Sequence, residues 1–188
     1  MTPRIDSVLE KCLSRHFGVH RSIVELRRTP SPYRTSFPIE DIRLWFDDRT
    51  ELDLVFKNLS RNALPEAARR VKPAFLYNPL REIEAYDILL SPSGLGTAAC
   101  YGSVADARSN HYWLFLEKVR GVELFQVGDL ETWKEVARRL AVMHRRLALN
   151  RGLLKRLSHV LDYDRHFYRT WLQRARRFLP ELRALCGE

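Results

Sequence analysis

One change of period constrains this chain more than any other feature. Before Val119 the apolar residues group into short strand-like stretches broken by polar turns; after it their spacing is helical to the end. The strand stretches cover residues 22–29, 40–48, 50–59, 97–107 and 111–119. The second and third meet across Asp47, Asp48, Arg49 and Thr50, a tight hairpin by composition. The last two meet across the polar turn Arg108, Ser109 and Asn110. A helix pattern at 5–17, with Leu9, Leu13 and Phe17 four apart and Gly18 at its end, precedes them. A second helix at 79–90 opens with Pro79 and stands between the third and fourth strands. Residues 63–78, which carry two prolines, read as irregular. The order is helix, three strands, helix, two strands, then helices: an α+β fold.

In the helical end, Asp129 is an N-cap, and Leu130, Trp133, Val136, Ala137, Leu140, Met143 and Leu147 share one stripe over residues 129–147. Residues 163–179 read as another helix capped by Asp164, and Pro180 as the start of a third. Trp133 and Trp171 are expected to anchor helix packing. Composition suits a globular domain: 188 residues, 45% hydrophobic and 29% charged. No apolar run approaches the roughly 18 residues a bilayer span needs, and charges interrupt the amphipathic N-terminus, so no secretory signal is read there. Cys12, Cys100 and Cys186 are far apart and odd in number, which suggests reduced thiols in a cytoplasmic protein without a metal site. Of the net charge of +9, residues 129–188 supply +7, with 14 basic against 7 acidic side chains. Such an excess favours anionic partners or is simply a solvated arginine-rich face.

The stretch ELDLVFKNLS, residues 51–60, ends an apolar run in Lys57. A lysine can stand there for solubility alone. Glu82, 25 residues further on in the first turn of the 79–90 helix, offers it a partner. Glu84 is a second candidate but faces another side of that helix. A carboxylate that fixes an ammonium's direction lets it face phosphate oxygens, where charge develops during phosphoryl transfer. The plainer role for Glu82 is to favour the helix N-terminus, worth about 0.3–1 kcal/mol.

With these residues in place, the chain resembles the aminoglycoside phosphotransferase and choline-kinase-like small-molecule kinases over nearly its full length. SPYRTSFP (31–38), LVFKNL (54–59), REIEAYDILL (81–90), YWLFLEKVRG (112–121) and VARRLAVMHRRL (136–147) carry the resemblance, the last through its Leu-x-x-x-His ending. It implies a protein-kinase-like N-lobe over residues 1–118, a five-stranded antiparallel sheet with helix 79–90 inserted, and a hinge with an incomplete helical C-lobe over 119–188. It also implies ATP as cofactor. Lys57 would touch the phosphates, Glu82 would orient it, and adenine would lie after Leu116 on the backbone of Glu117 and Val119.

Two departures from the pattern follow. The phosphate-covering loop has no glycine; Ser31, Thr35 and Ser36 supply hydroxyls instead, and Ser36 is the candidate phosphate contact. No H-G-D-x-x-x-x-N loop or later magnesium-binding aspartate occurs: His144 and His159 lack the required followers, and Asp129 reads as a helix cap. Magnesium would be needed for transfer, so no catalytic or metal-binding residue is assigned, and the chain alone is not expected to transfer phosphate. A truncated or split kinase and a member that has lost catalysis both fit. His144 reads as structural.

Two other readings stay open. One is a non-catalytic module that self-associates, binds a partner or meets a complementing C-terminal half through Leu161, Phe167, Trp171 and Phe178. The other, the weakest, is nucleic-acid binding by arginines interleaved with aromatics at 165–177. No membrane partner is expected.

Overall fold

The computed structural model describes residues 4–33 and 36–186, so Thr35 lies outside the described residues. The chain forms two compact units, Met1–Ser158 and His159–Glu188, whereas the sequence reading drew its boundary at 118/119. The first unit is mixed α+β. Five strands, β1 (Ile23–Pro30), β2 (Ile39–Phe46), β3 (Glu51–Asn58), β4 (Cys100–Asp106) and β5 (His111–Glu117), make one antiparallel sheet in the order β1-β2-β3-β5-β4. The β2–β3 hairpin turns where composition placed it. Arg49 takes the left-handed conformation (φ 64°), and the Thr50 amide donates to the Asp48 carboxylate. Arg43 on β2 lies directly opposite Asp53 on β3 and donates to it at 2.7 Å, an opposite-charge pair that fits this register.

Each face of the sheet carries a packed cluster. Helix α1 (Ile5–Phe17), closed by Gly18 in the left-handed region at φ 70°, packs Leu9, Cys12 and Leu13 against Ile42, Leu44, Leu54, Phe56, Trp113 and Phe115. Helix α3 (Pro79–Glu84) sets Ile83 on the opposite face, against Leu114, Leu116 and Val55. In β5, consecutive residues Trp113, Leu114, Phe115 and Leu116 are therefore all buried, two on each face. Each such large side chain contributes about 1.5–3 kcal/mol by leaving water. At Gly102 on β4, an added Cβ would stand 2.6 Å from the Cβ and Sγ of Cys12; only glycine lets α1 approach so closely.

The crossover from β3 to α3 is not wholly irregular. It contains a short helix α2 (Glu66–Val71), braced by an ion pair from Arg70 to Glu66 one turn away, and a 3₁₀ turn at Ala74–Leu76. Lys72 and Pro73 separate the two, and a residue before proline is driven to extended backbone, which stops α2 there. Asn78 caps α3, its side chain accepting from the Leu80 amide, with Pro79 at the first helical position. The expected single helix to Leu90 instead widens into a π-helical turn at Ala85–Leu90.

Helix α4 (Leu130–Leu149) is capped by Asp129, whose carboxylate accepts from the Glu131 and Thr132 amides, and α5 (Arg151–Leu154) follows. The apolar stripe forms, yet Leu130, Trp133, Val136 and Leu140 are exposed, and the Trp133 indole donates to the Val127 carbonyl. Trp133 is thus a surface residue rather than a buried packing anchor. In the second unit, α6 (Arg165–Cys186) begins where Asp164 accepts from the Phe167 amide, as expected of a cap. It runs straight past Pro180, so no third helix starts there. The proline removes one backbone donor from a helix long enough to keep its other bonds. Trp171 and Phe178 are exposed.

Candidate functional site

Strand parity places Lys57. Leu54 and Phe56 point into the α1 core, so Val55 and Lys57 belong to the other face, where α3 lies. Lys57 is paired in register with Ile39 on β2 and Leu114 on β5, near the end of the strand. From α3, Glu82 reaches its ammonium: Lys57 Nζ donates to Glu82 Oε1 at 2.5 Å. Their side chains are 25% and 36% exposed, enough to meet a ligand from solvent. Glu84, two residues on and so on another side of the helix, accepts instead from the Ser158 amide at 3.0 Å.

A cleft of about 340 Å³ opens on the Glu82 side of the pair, lined by Glu82 together with Phe37, Leu59, Lys72, Arg81 and Ala85 but not by Lys57. Phe37 comes from the β1–β2 loop, one position after Ser36, which is half-buried. In the same loop the buried Ser31 hydroxyl is occupied in accepting the Tyr33 amide. The Lys72 ammonium lies over the Phe37 ring, 4.5 Å from its centroid. Burial, and next the positive Arg81, hold Lys72 below the usual lysine range, while Glu82 pulls the other way. Arg81 donates to the Leu76 carbonyl at 3.0 Å. Tyr86, one turn after Glu82, has its phenol pushed up by burial and then by Glu82. Sequence reasoning missed Lys72 and Phe37. The Lys72-Pro73 step signals only that the short helix stops there in extended backbone; no local pattern places the lysine against Phe37.

Leu116 is buried beneath this face, in the same cluster as Ile83. Glu117 ends β5, and both its groups reach back to one residue. Its amide donates to the Ala99 carbonyl, and its carboxylate accepts the Ala99 amide. That amide is committed, so a base edge could meet only the carbonyl of Glu117 there. Val119 is exposed, and between them Lys118 pairs with Asp41 at 2.8 Å. The structure thus brings Lys57 and Glu82 into contact and sets Leu116 on the same face, while Ser36 stands in the loop that supplies Phe37.

A larger cavity, about 400 Å³, involves Cys12, Arg15, His16, Asp87, Tyr101 and Ser103. Its thiols are poor nucleophiles: burial raises Cys12 and pushes Cys100 up to about 11. Among the described residues no three His, Cys, Asp or Glu side chains converge to hold a metal ion, and no helix is long and apolar enough to cross a membrane. No known family's model matches the chain, and neither a curated protein nor a solved structure matches it.

Proposed function

We propose that the chain is the nucleotide-binding portion of an ATP-dependent small-molecule phosphotransferase of the aminoglycoside-phosphotransferase and choline-kinase-like kind, acting in the cytoplasm. The observation that carries this reading is the Lys57–Glu82 ion pair, made between the third strand and the inserted helix across 25 residues of sequence. The sheet order β1-β2-β3-β5-β4, with α3 on the lysine's face, supports a kinase-like N-lobe. In this reading Glu82 holds the Lys57 ammonium toward the phosphates of ATP, and Ser36 contacts them. The Glu117 carbonyl and the backbone of Val119 face the adenine. ATP supplies the phosphoryl group; the residues described here bind and orient it, and no transfer step is assigned to them. Titration of the chain with ATP and ADP by calorimetry, beside Lys57→Ala, tests this. Binding lost in the variant supports the proposal; no binding, or equal binding by both, ends it.

The exposed stripe of α4 favours a second reading, a non-catalytic module of the same fold. In it Leu130, Trp133, Val136 and Leu140 meet a partner chain or a second copy. Sedimentation of a clean monomer at high concentration would count against the self-associating form.

A further inference from the structure

Lys57 alone leaves a charge problem at such a site. Its ammonium is matched by Glu82, so the pair is neutral as a unit, whereas a nucleoside di- or triphosphate brings several negative charges. The crossover between β3 and α3 supplies the missing cation. Lys72 is half-buried against Phe37, and among the described residues it has no carboxylate within ion-pairing distance. Arg81 and Glu82 line the same cleft, the first opposing and the second favouring the charged form of Lys72. A half-buried ammonium with no carboxylate to pair with is better satisfied once an anion arrives.

We infer that Lys72 is a second phosphate-contacting residue of this cleft, and that the cleft takes the polyphosphate end of its ligand between Lys72 and the Lys57–Glu82 pair. The inference rests on the nucleotide-site reading above and deepens it. Phe37 serves as a platform on which the Lys72 ammonium itself rests, so that ammonium is directed before the ligand arrives. Because Phe37 and Lys72 come from different segments, phosphate capture would also tie the β1–β2 loop to the crossover.

The test uses the full chain and Lys72→Met, which keeps an unbranched stem over Phe37 and removes the charge. Matched circular dichroism and urea unfolding establish that the variant folds. ATP, ADP, adenosine and inorganic tripolyphosphate are titrated against wild type, Lys72→Met and Lys57→Ala. The expected result is a loss of about tenfold or more in affinity for ATP and tripolyphosphate in Lys72→Met, with adenosine affinity unchanged. If Lys57→Ala weakens ATP binding and Lys72→Met does not, the role of Lys72 is overturned and the nucleotide site stands. If tripolyphosphate binds through Lys72 while ATP and adenosine show no binding of their own, the anion subsite holds and the nucleotide reading falls. Equal binding of every probe by all three proteins overturns both.

Discussion

The Nζ of Lys57 and the Oε1 of Glu82 stand 2.5 Å apart although they belong to a strand and a helix that share no local sequence. Both side chains are partly exposed, and pairs of that kind contribute only about 0–1 kcal/mol to stability. Lys57→Ala and Glu82→Gln, alone and together, should therefore leave the urea midpoint almost unchanged, with a coupling energy within that range. Loss of several kcal/mol in either variant would mean the pair is a structural clamp and not a ligand-facing device.

Gly102 and Cys12 supply a sharper stability test. Gly102→Ala places a methyl 2.6 Å from both the Cβ and the Sγ of Cys12, so α1 must shift from the sheet. A destabilisation of about 1–3 kcal/mol is expected, read by urea denaturation. Cys12→Ala in the same chain removes only the Sγ clash, so recovery should be partial.

The cap of α4 predicts a pH dependence. Hydrogen bonds from Thr132 and Glu131 hold the Asp129 carboxyl below its ordinary value of 3.8. A depressed folded pKa means its contribution is fully present above 3.8 and is lost as pH falls through the folded value. Helicity followed by circular dichroism should therefore drop more in wild type than in Asp129→Asn on acidification below 3.8. Asparagine caps without titrating.

Thiol chemistry reports on the core. Cys12 and Cys100 are both pushed toward the protonated form by burial, Cys100 to about 11. In a Cys186→Ser background, alkylation by iodoacetamide at pH 8 should be slow for both until urea unfolds the chain, and then fast. Rapid labelling of either in native buffer would show that α1 opens from β4.

Much of this was legible in the sequence, and the reasons are local. Asp47–Thr50 and Asp129 mark their turn and cap because short polar side chains bond nearby amides, a rule that needs no tertiary context. Strand parity alone set Lys57 opposite Phe56, and a helix start 22 residues after it put Glu82 within reach. What escaped reading depends on neighbours. Burial of Trp113 through Leu116 on both faces follows from where α1 and α3 settle, and no window over β5 contains that information. The same holds for Lys72, whose significance comes from a phenylalanine 35 positions earlier. Pro180 misled for the opposite reason: the local rule against proline in helices is strong, yet a helix as long as α6 absorbs one missing bond.

Strand β3 carries two incompatible duties on alternate residues, an oily wedge on one side and a charged tool on the other. Deleting or inserting a single residue within Glu51–Asn58 would exchange them, thrusting an ammonium into the α1 interior and turning phenylalanine out toward Glu82. The segment should accept many substitutions yet no change of length, so its reading frame is as tightly held as any individual side chain in it.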